Sequence, residues 1–274
     1  RTVWKLPETL ASLRAVYLCA AGDAIHAFAS TELFDRIAKP AAIDDESALS
    51  ASLSAALADS CHAEARDAAD AVRVRVLGAG GARTRGAPAI ARDGGLDAIS
   101  SLRVDFDVAW PANIVVDAAA LSQYNAVLRL MLQLKHAHSS LAAVPICAGE
   151  AAAEEDAAAA AAGRRVAVLR AKLLNFVSAL RSHVMHRSLD GCWHMLQSAM
   201  AAATSLEEMC AAHRAYLHAL SRQCMIAPDK FWSLVSERVQ SALSAVLAFT
   251  AAAGTLSDGY CSAAEVRRAM AAVE

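Results

Sequence analysis

The chain is 274 residues long, 56% hydrophobic and 20% charged, with a formal net charge of −2. That apolar share excludes a wholly disordered chain, and the near-neutral balance gives no global attraction to nucleic acid or to an anionic membrane. Sixty-eight alanines against only 12 glycines and 6 prolines favour helix and leave too few turn residues for an all-β protein, so the fold expected is mainly α, in one large domain or two small ones.

Leu6 to Ala21 reads as a first helix, with Pro7 suited to its first turn. Gly22-Asp23 breaks it, and Asp23 is placed to cap a second helix that Pro40 ends at about Lys39. Asp44-Asp45-Glu46 puts acids at the start of a third helix running to about Val72. Residues 78–100 read as a flexible basic loop. From Val72 to Arg92 there are five arginines (Arg73, Arg75, Arg83, Arg85, Arg92) and no acid. The glycines there match neither a dinucleotide fingerprint nor a P-loop, because Arg83 and Ala87-Pro88 stand where those motifs need Gly and Lys-Ser/Thr.

Leu102 to Val108 alternates apolar and polar residues, the pattern of a half-buried strand. Trp110-Pro111 stops it, and Ile114-Val115-Val116 is placed to pair with it, giving a small β insertion near residues 102–116. Pro111 biases Trp110 towards extended backbone, and the indole is expected to be buried against the bundle, positioning the glycine-rich loop and the next helix. Asp117 caps that helix, about Ala118 to Leu141, which is apolar on more than one face and so expected to be central. Residues 148–162 form an Ala-rich linker or weak helix start.

Val166, Leu169, Leu173, Phe176, Leu180 and Val184 recur at helical spacing, and Gly191 breaks the pattern before a shorter helix around Trp193. Ser205 and Glu208 have the spacing of a capping box. The helix they open carries His213, Tyr216, Leu217 and Leu220 on one stripe, expected to pack on the Val166–Val184 helix. Pro228 opens a further helix through Phe249, and Ser262 with Glu265 caps a short last one. Val239 to Ser257 is free of charge, but Gln240, several hydroxyls and Gly254 favour a buried core helix over a membrane span. The elements together make an antiparallel helical bundle with one small β insertion.

No catalytic constellation stands out: there is no GxSxG, no flanked cysteine nucleophile and no acid pair in a catalytic context. The pairs His183/His186, Cys192/His194 and Cys210/His213 lack the spacing of a zinc site, so no metal and no cofactor are expected. His213, on an apolar stripe, reads as a core histidine. Seven cysteines without CxxC spacing read as reduced thiols, which fits cytosol or nucleus. The chain opens at Arg1 with no apolar leader and no initiator Met, the pattern of a piece of something longer. A second basic segment, Arg164 to Arg187, holds Arg164, Arg165, Arg170, Lys172, Arg181 and Arg187 without an acid. Such a run is a solvated face or a docking surface for an acidic protein.

Four blocks carry a resemblance. They are Leu13 to Leu18 with Gly22-Asp23 and Phe28; Val104 to Val116 followed by Leu121, Tyr124-Asn125, Val127-Leu128, Leu132 and Lys135; Leu169 to Leu180; and Ser205 to Glu208 with His213 to Leu217 and Cys224-Met225-Ile226. In this order they resemble the C-terminal half of the gamma-tubulin complex components, and Trp-Pro-Ala-Asn-Ile with Lys-Leu-Leu-Asn-Phe-Val is most similar to the fifth component subtype. The sequence departs from the family at His183-Val184-Met185-His186, where several members have a Tyr pair, and in its arginine-rich loop.

The resemblance implies a non-enzymatic domain, spanning residues 1–274 and incomplete at its N-terminus, that holds gamma-tubulin. Other complex components would pack through an N-terminal half outside this chain, forming the ring that templates microtubule growth in the cytoplasm and at centrosomes or spindle poles. Tubulins being acidic, the interface residues expected are Arg83, Arg85 and Arg92 in the loop, with Arg129 and Lys135 on the polar side of the Asp117 helix. Trp110, Pro111, Tyr124, Phe176, His213, Tyr216 and Leu217 are expected as structural residues. The alternative is a generic helical scaffold unrelated to tubulin, such as an α-solenoid, against which stands the lack of a 30–45-residue repeat.

Overall fold

A computed structural model describes residues 5–38, 45–77, 95–144 and 157–257. Helix α1 (Leu6–Tyr17) has Pro7 in its first turn. Helix α2 (Gly22–Phe28) continues through a π-helical turn at Ala29–Leu33 into α3 (Phe34–Ala38). Asp23 lies inside the first turn of α2, and its carboxylate bonds to Ser60 and Cys61 across the fold. The Asp45 side chain accepts the Ala48 N–H at 3.0 Å and caps α4 (Glu46–Ala58).

The expected third helix is shorter than its forecast. After α4 come a turn, the short α5 (Ala63–Ala68) and then strand β1 (Val72–Val76). Val-Arg-Val-Arg-Val alternates β-branched and charged residues, and only a period of two buries Val72, Val74 and Val76 together while leaving Arg73 and Arg75 outside.

Helix α6 (Leu96–Ser100) leads into β2 (Leu102–Phe106), so the loop expected over 78–100 ends before Leu96. The two strands are antiparallel, with Val72 opposite Phe106, Val74 opposite Val104 and Val76 opposite Leu102. The partner of β2 is therefore β1 and not Ile114-Val115-Val116. That segment instead forms a 3-10 turn (Ala112–Ile114) followed by buried Val115 and Val116.

A two-stranded ladder has two open edges, and each is closed at its centre by side chains. On β1, Ser50 Oγ accepts the Val74 N–H at 2.9 Å, and its single proton lies between the Glu46 carbonyl at 2.7 Å and the Val74 carbonyl at 3.2 Å. Glu46 Oε1 takes the Val76 N–H at 2.8 Å. On β2, Asn125 accepts the Val104 N–H at 2.7 Å, and Asn125 and Tyr17 both donate to the Val104 carbonyl.

Helix α7 (Ala118–Ala143), capped by Asp117 through the Ala120 N–H at 2.7 Å, is central as its sequence implied. It packs against α1, α6, β2 and the C-terminal helices, burying Tyr124, Val127, Leu134 and Leu141. Helix α8 (Ala157–Ser182) begins inside the Ala-rich stretch expected as a linker or weak helix start. It passes through a π-helical segment (His183–Asp190) straight into α9 (Gly191–Ala202), so Gly191 joins helices and does not interrupt them. Helix α10 (Leu206–Gln223) has the full capping box of Ser205 and Glu208. Helix α11 (Lys230–Ser257) buries Leu243, Val246, Leu247 and Phe249 against α7, and no helix of the described residues is long and apolar enough to cross a membrane. The capping box expected at Ser262 and Glu265 lies outside the described residues.

The two halves of the chain are tied by Arg14 of α1. Its guanidinium meets Asp190 at 2.9 Å and lies 5.0 Å from the Trp193 ring centroid. Cation–π and ion-pair contacts share one side chain there.

Candidate partner interface

The expected interface arginines Arg83, Arg85 and Arg92 lie outside the described residues. Two other arginines of that basic run are placed by β1, and their surroundings are less basic than the linear sequence suggests. Asp105 of β2 receives Arg75 at 2.9 Å and Arg103 at 2.7 Å. The strand pairing supplies the acid that the segment lacks in sequence.

Arg129 and Lys135 are not on a solvated polar side of α7. Both are half-buried, because α7 is covered on most of its circumference. Arg129 borders a small void with Val16, Leu53 and Leu102, and burial, helped by the neighbouring charge of Arg103, lowers its pKa. Lys135 lines a cleft of about 320 Å³ with Cys19, Met131, Arg181 and Met185, and burial lowers its pKa too. Six residues apart on a helix, the two cations are rotated by about 240° and do not form one patch.

Trp110 was expected inside and is 79% exposed. The strand alternation that would bury it stops at Phe106, and the covered positions beyond are taken by Pro111, Ala112, Val115 and Val116. The β register also separates it from the basic loop. Leu77, the last described residue before the basic segment, follows the Val76/Leu102 end of the ladder, whereas Trp110 follows the Val72/Phe106 end. Ile114 beside it is 47% exposed.

Behind this exposed corner sits a buried polar node. His213, fully buried on α10, has Nδ1 3.1 Å from the Val115 carbonyl and Nε2 3.0 Å from the Tyr124 hydroxyl. These partners fix the neutral tautomer: Nδ1–H donates to Val115 and Nε2 accepts from Tyr124. Burial lowers its pKa, outweighing the opposing effects of the Val115 carbonyl and Asp117. His213 is a core histidine, as its stripe indicated. Helix α10 packs on α7, α9 and the π-helical segment, where the body of α8 was expected. Tyr216 and Leu217 are buried with it.

Helix α8 presents a different surface. Arg164, Val168, Lys172 and Phe176 recur every four residues and are all exposed, Val168 at 55% and Phe176 at 45%. Spacing of four places them on one stripe that alternates cation and hydrophobe. Phe176, expected as a structural residue, belongs to this stripe, and the core-facing position next to it is Val177. Arg170 of the same basic run is turned inward and donates to the Leu141 and Ala142 carbonyls at the end of α7. A second apolar surface is a groove of about 640 Å³ between Leu6 and Leu10 of α1, Trp193 and Met200 of α9, and Leu206 and Met209 of α10.

Among the described residues, none of the His and Cys pairs singled out in the sequence gains a third metal-type ligand. One such trio does occur elsewhere, Asp23, Cys61 and His62, all exposed. The adjacent Cys61-His62 was legible as a dipeptide, but nothing in the sequence brings Asp23 to it.

The family model described as "Gamma tubulin complex component C-terminal" matches residues 6–272. Gamma-tubulin complex component 5 of Mus musculus is 26% identical over 90% of this chain, and the match covers 24% of that protein. Component 5 of Macaca fascicularis is 25% identical over 90% of this chain and 35% of its own length. Component 2 of Mus musculus is 25% identical over 52% of this chain and 16% of that protein. The chain thus spans between a sixth and about a third of these relatives, and its likeness to component 5 runs along nearly all of it. It belongs to the gamma-tubulin complex component C-terminal family.

Proposed function

We propose that this chain holds gamma-tubulin within a gamma-tubulin complex and acts by binding, not by catalysis. The observation that carries the reading is the family match from residue 6 to residue 272, which takes in every described element except the lone residue Lys5. Other complex components would assemble with it through segments outside this chain. The complex would support microtubule nucleation at centrosomes or spindle poles.

The α8 stripe of Arg164, Val168, Lys172 and Phe176 supplies the chemistry an acidic protein surface needs. Cations orient and speed the encounter, and exposed apolar side chains provide area to bury. Arg83, Arg85 and Arg92, outside the described residues, are further cationic candidates for the same partner, and Trp110 with Ile114 offers a further apolar contact. Arg129 and Lys135 contribute field more than contact, since both are half-covered by neighbours.

The test is size-exclusion chromatography of the chain mixed with purified gamma-tubulin at low salt. Co-elution as one species supports the reading. Separate elution at micromolar concentrations of both proteins contradicts it.

A further inference from the structure

We propose that Asp23, Cys61 and His62 form a binding site for a zinc-class divalent cation, with water as the remaining ligand. One ligand atom from each residue lies within 4.8 Å of the other two, and His62 Nε2 is 3.9 Å from Asp23 Oδ1. A tetrahedral zinc with the usual sulfur, nitrogen and oxygen bond lengths holds its ligands about 3.3–3.8 Å apart. Cys61 and His62 are exposed, so binding would draw their side chains towards Asp23 by rotation.

The frame behind these ligands is already built. Ser60 is buried, and its hydroxyl lies 3.0 and 2.9 Å from the two Asp23 oxygens. The Cys61 N–H donates to Asp23 Oδ2 at 2.8 Å, and the His62 N–H donates to Ser60 Oγ at 3.1 Å. Arg66 holds the Ser60 carbonyl at 2.7 Å. The carboxylate from α2 and the Cys-His pair from the α4–α5 turn therefore face each other through a fixed set of backbone bonds. This is the kind of outer-shell support that orients metal ligands.

The donor set selects the cation. Thiolate plus imidazole plus a single carboxylate suits zinc or cobalt, and is a poor match for magnesium or calcium, which need oxygen cages. Three protein ligands leave an open position and make the site exchangeable. Occupancy would add a metal link between α2 and the α4–α5 turn, which hydrogen bonds already join. This inference stands independently of gamma-tubulin binding.

The experiment is a Co²⁺ titration of the intact chain in a thiol-free reductant, followed by displacement with Zn²⁺. The expected result is one equivalent bound, with a thiolate-to-cobalt charge-transfer band that Zn²⁺ abolishes. Cys61→Ser is expected to lose the band. His62→Gln is expected to weaken binding at least about tenfold, since even outer-shell changes cost that much. Melting curves of the metal-free variants check their folds, and His62→Gln gives an independent reading if Cys61→Ser is unstable. The parent alone is expected to melt at higher temperature when Zn²⁺ is added. Absence of the band in the parent, its survival in Cys61→Ser, or unchanged affinity in His62→Gln would overturn the site.

Discussion

Asn125 satisfies both backbone groups of Val104, accepting its N–H at 2.7 Å and donating to its carbonyl at 2.9 Å. The same amide nitrogen lies 2.9 Å from the Leu121 carbonyl, one turn back on α7. The central helix thereby takes the place of a third strand along β2. Asn125→Leu removes the side chain that accepts the Val104 N–H, while Tyr17 keeps the carbonyl bonded. The expected cost is about 1–3 kcal/mol for the stranded donor, read by denaturant unfolding.

Tyr124 and Tyr216 predict opposite outcomes for the same chemical change. The Tyr124 hydroxyl donates to His213, so Tyr124→Phe strands a buried nitrogen and is expected to destabilise by about 1–3 kcal/mol. Among the described residues, the buried Tyr216 hydroxyl has no hydrogen-bond partner. Tyr216→Phe is expected to leave stability unchanged or raise it, keeping the ring contacts with Trp193 and His213. Thermal melts of the two variants side by side check the contrast.

His213 gives the fold a pH dependence with a definite sign. Its folded pKa lies below the ordinary histidine value, so between the two values the unfolded chain binds more protons. Its contribution is fully present above the unfolded pKa of about 6.5 and is lost as pH falls towards and through the folded value. Stability measured from pH 8 to pH 5 is expected to decline in the parent and to decline less in His213→Gln. His138, also lowered by burial, accounts for part of what remains.

Gly95 sits at φ 90°, in the left-handed region, just before α6. A Cβ there would collide with Ile37. Gly95→Ala is expected to cost about 1–3 kcal/mol from backbone strain alone, with the clash added, and should lower the unfolding midpoint.

The helices were legible because their signals are local. Asp117, Asp45 and the Ser205–Glu208 box cap helices where the sequence placed them. The apolar coverage of α7 foretold its central place. What failed depended on pairing. Val72 to Val76 carries a clear period-two pattern, but its arginines read as part of a basic run beyond the third helix, so Ile114-Val115-Val116 stands as the expected partner of β2 in place of β1. Trp110 was assigned by the size of its side chain, whereas its exposure follows from where β2 ends. Asp105 beside Arg75, and Asp23 beside Cys61 and His62, depend on long-range contacts that no local spacing encodes. On α8, Phe176 of the apolar repeat is expected as a structural residue, and it is 45% exposed while Val177 beside it is buried.

The most direct test of the central claim is the affinity of this chain for purified gamma-tubulin, measured across a salt series. Parent protein is compared with Arg164→Glu/Lys172→Glu, with Val168→Ser/Phe176→Ser and with Arg83→Ala/Arg85→Ala/Arg92→Ala, each checked for helix content. The account predicts saturable binding by the parent that weakens as salt rises. It predicts weaker binding for the charge variants, most at low salt, and a loss for the apolar pair at every salt concentration. No saturable binding by the parent, with its fold intact, would contradict the account.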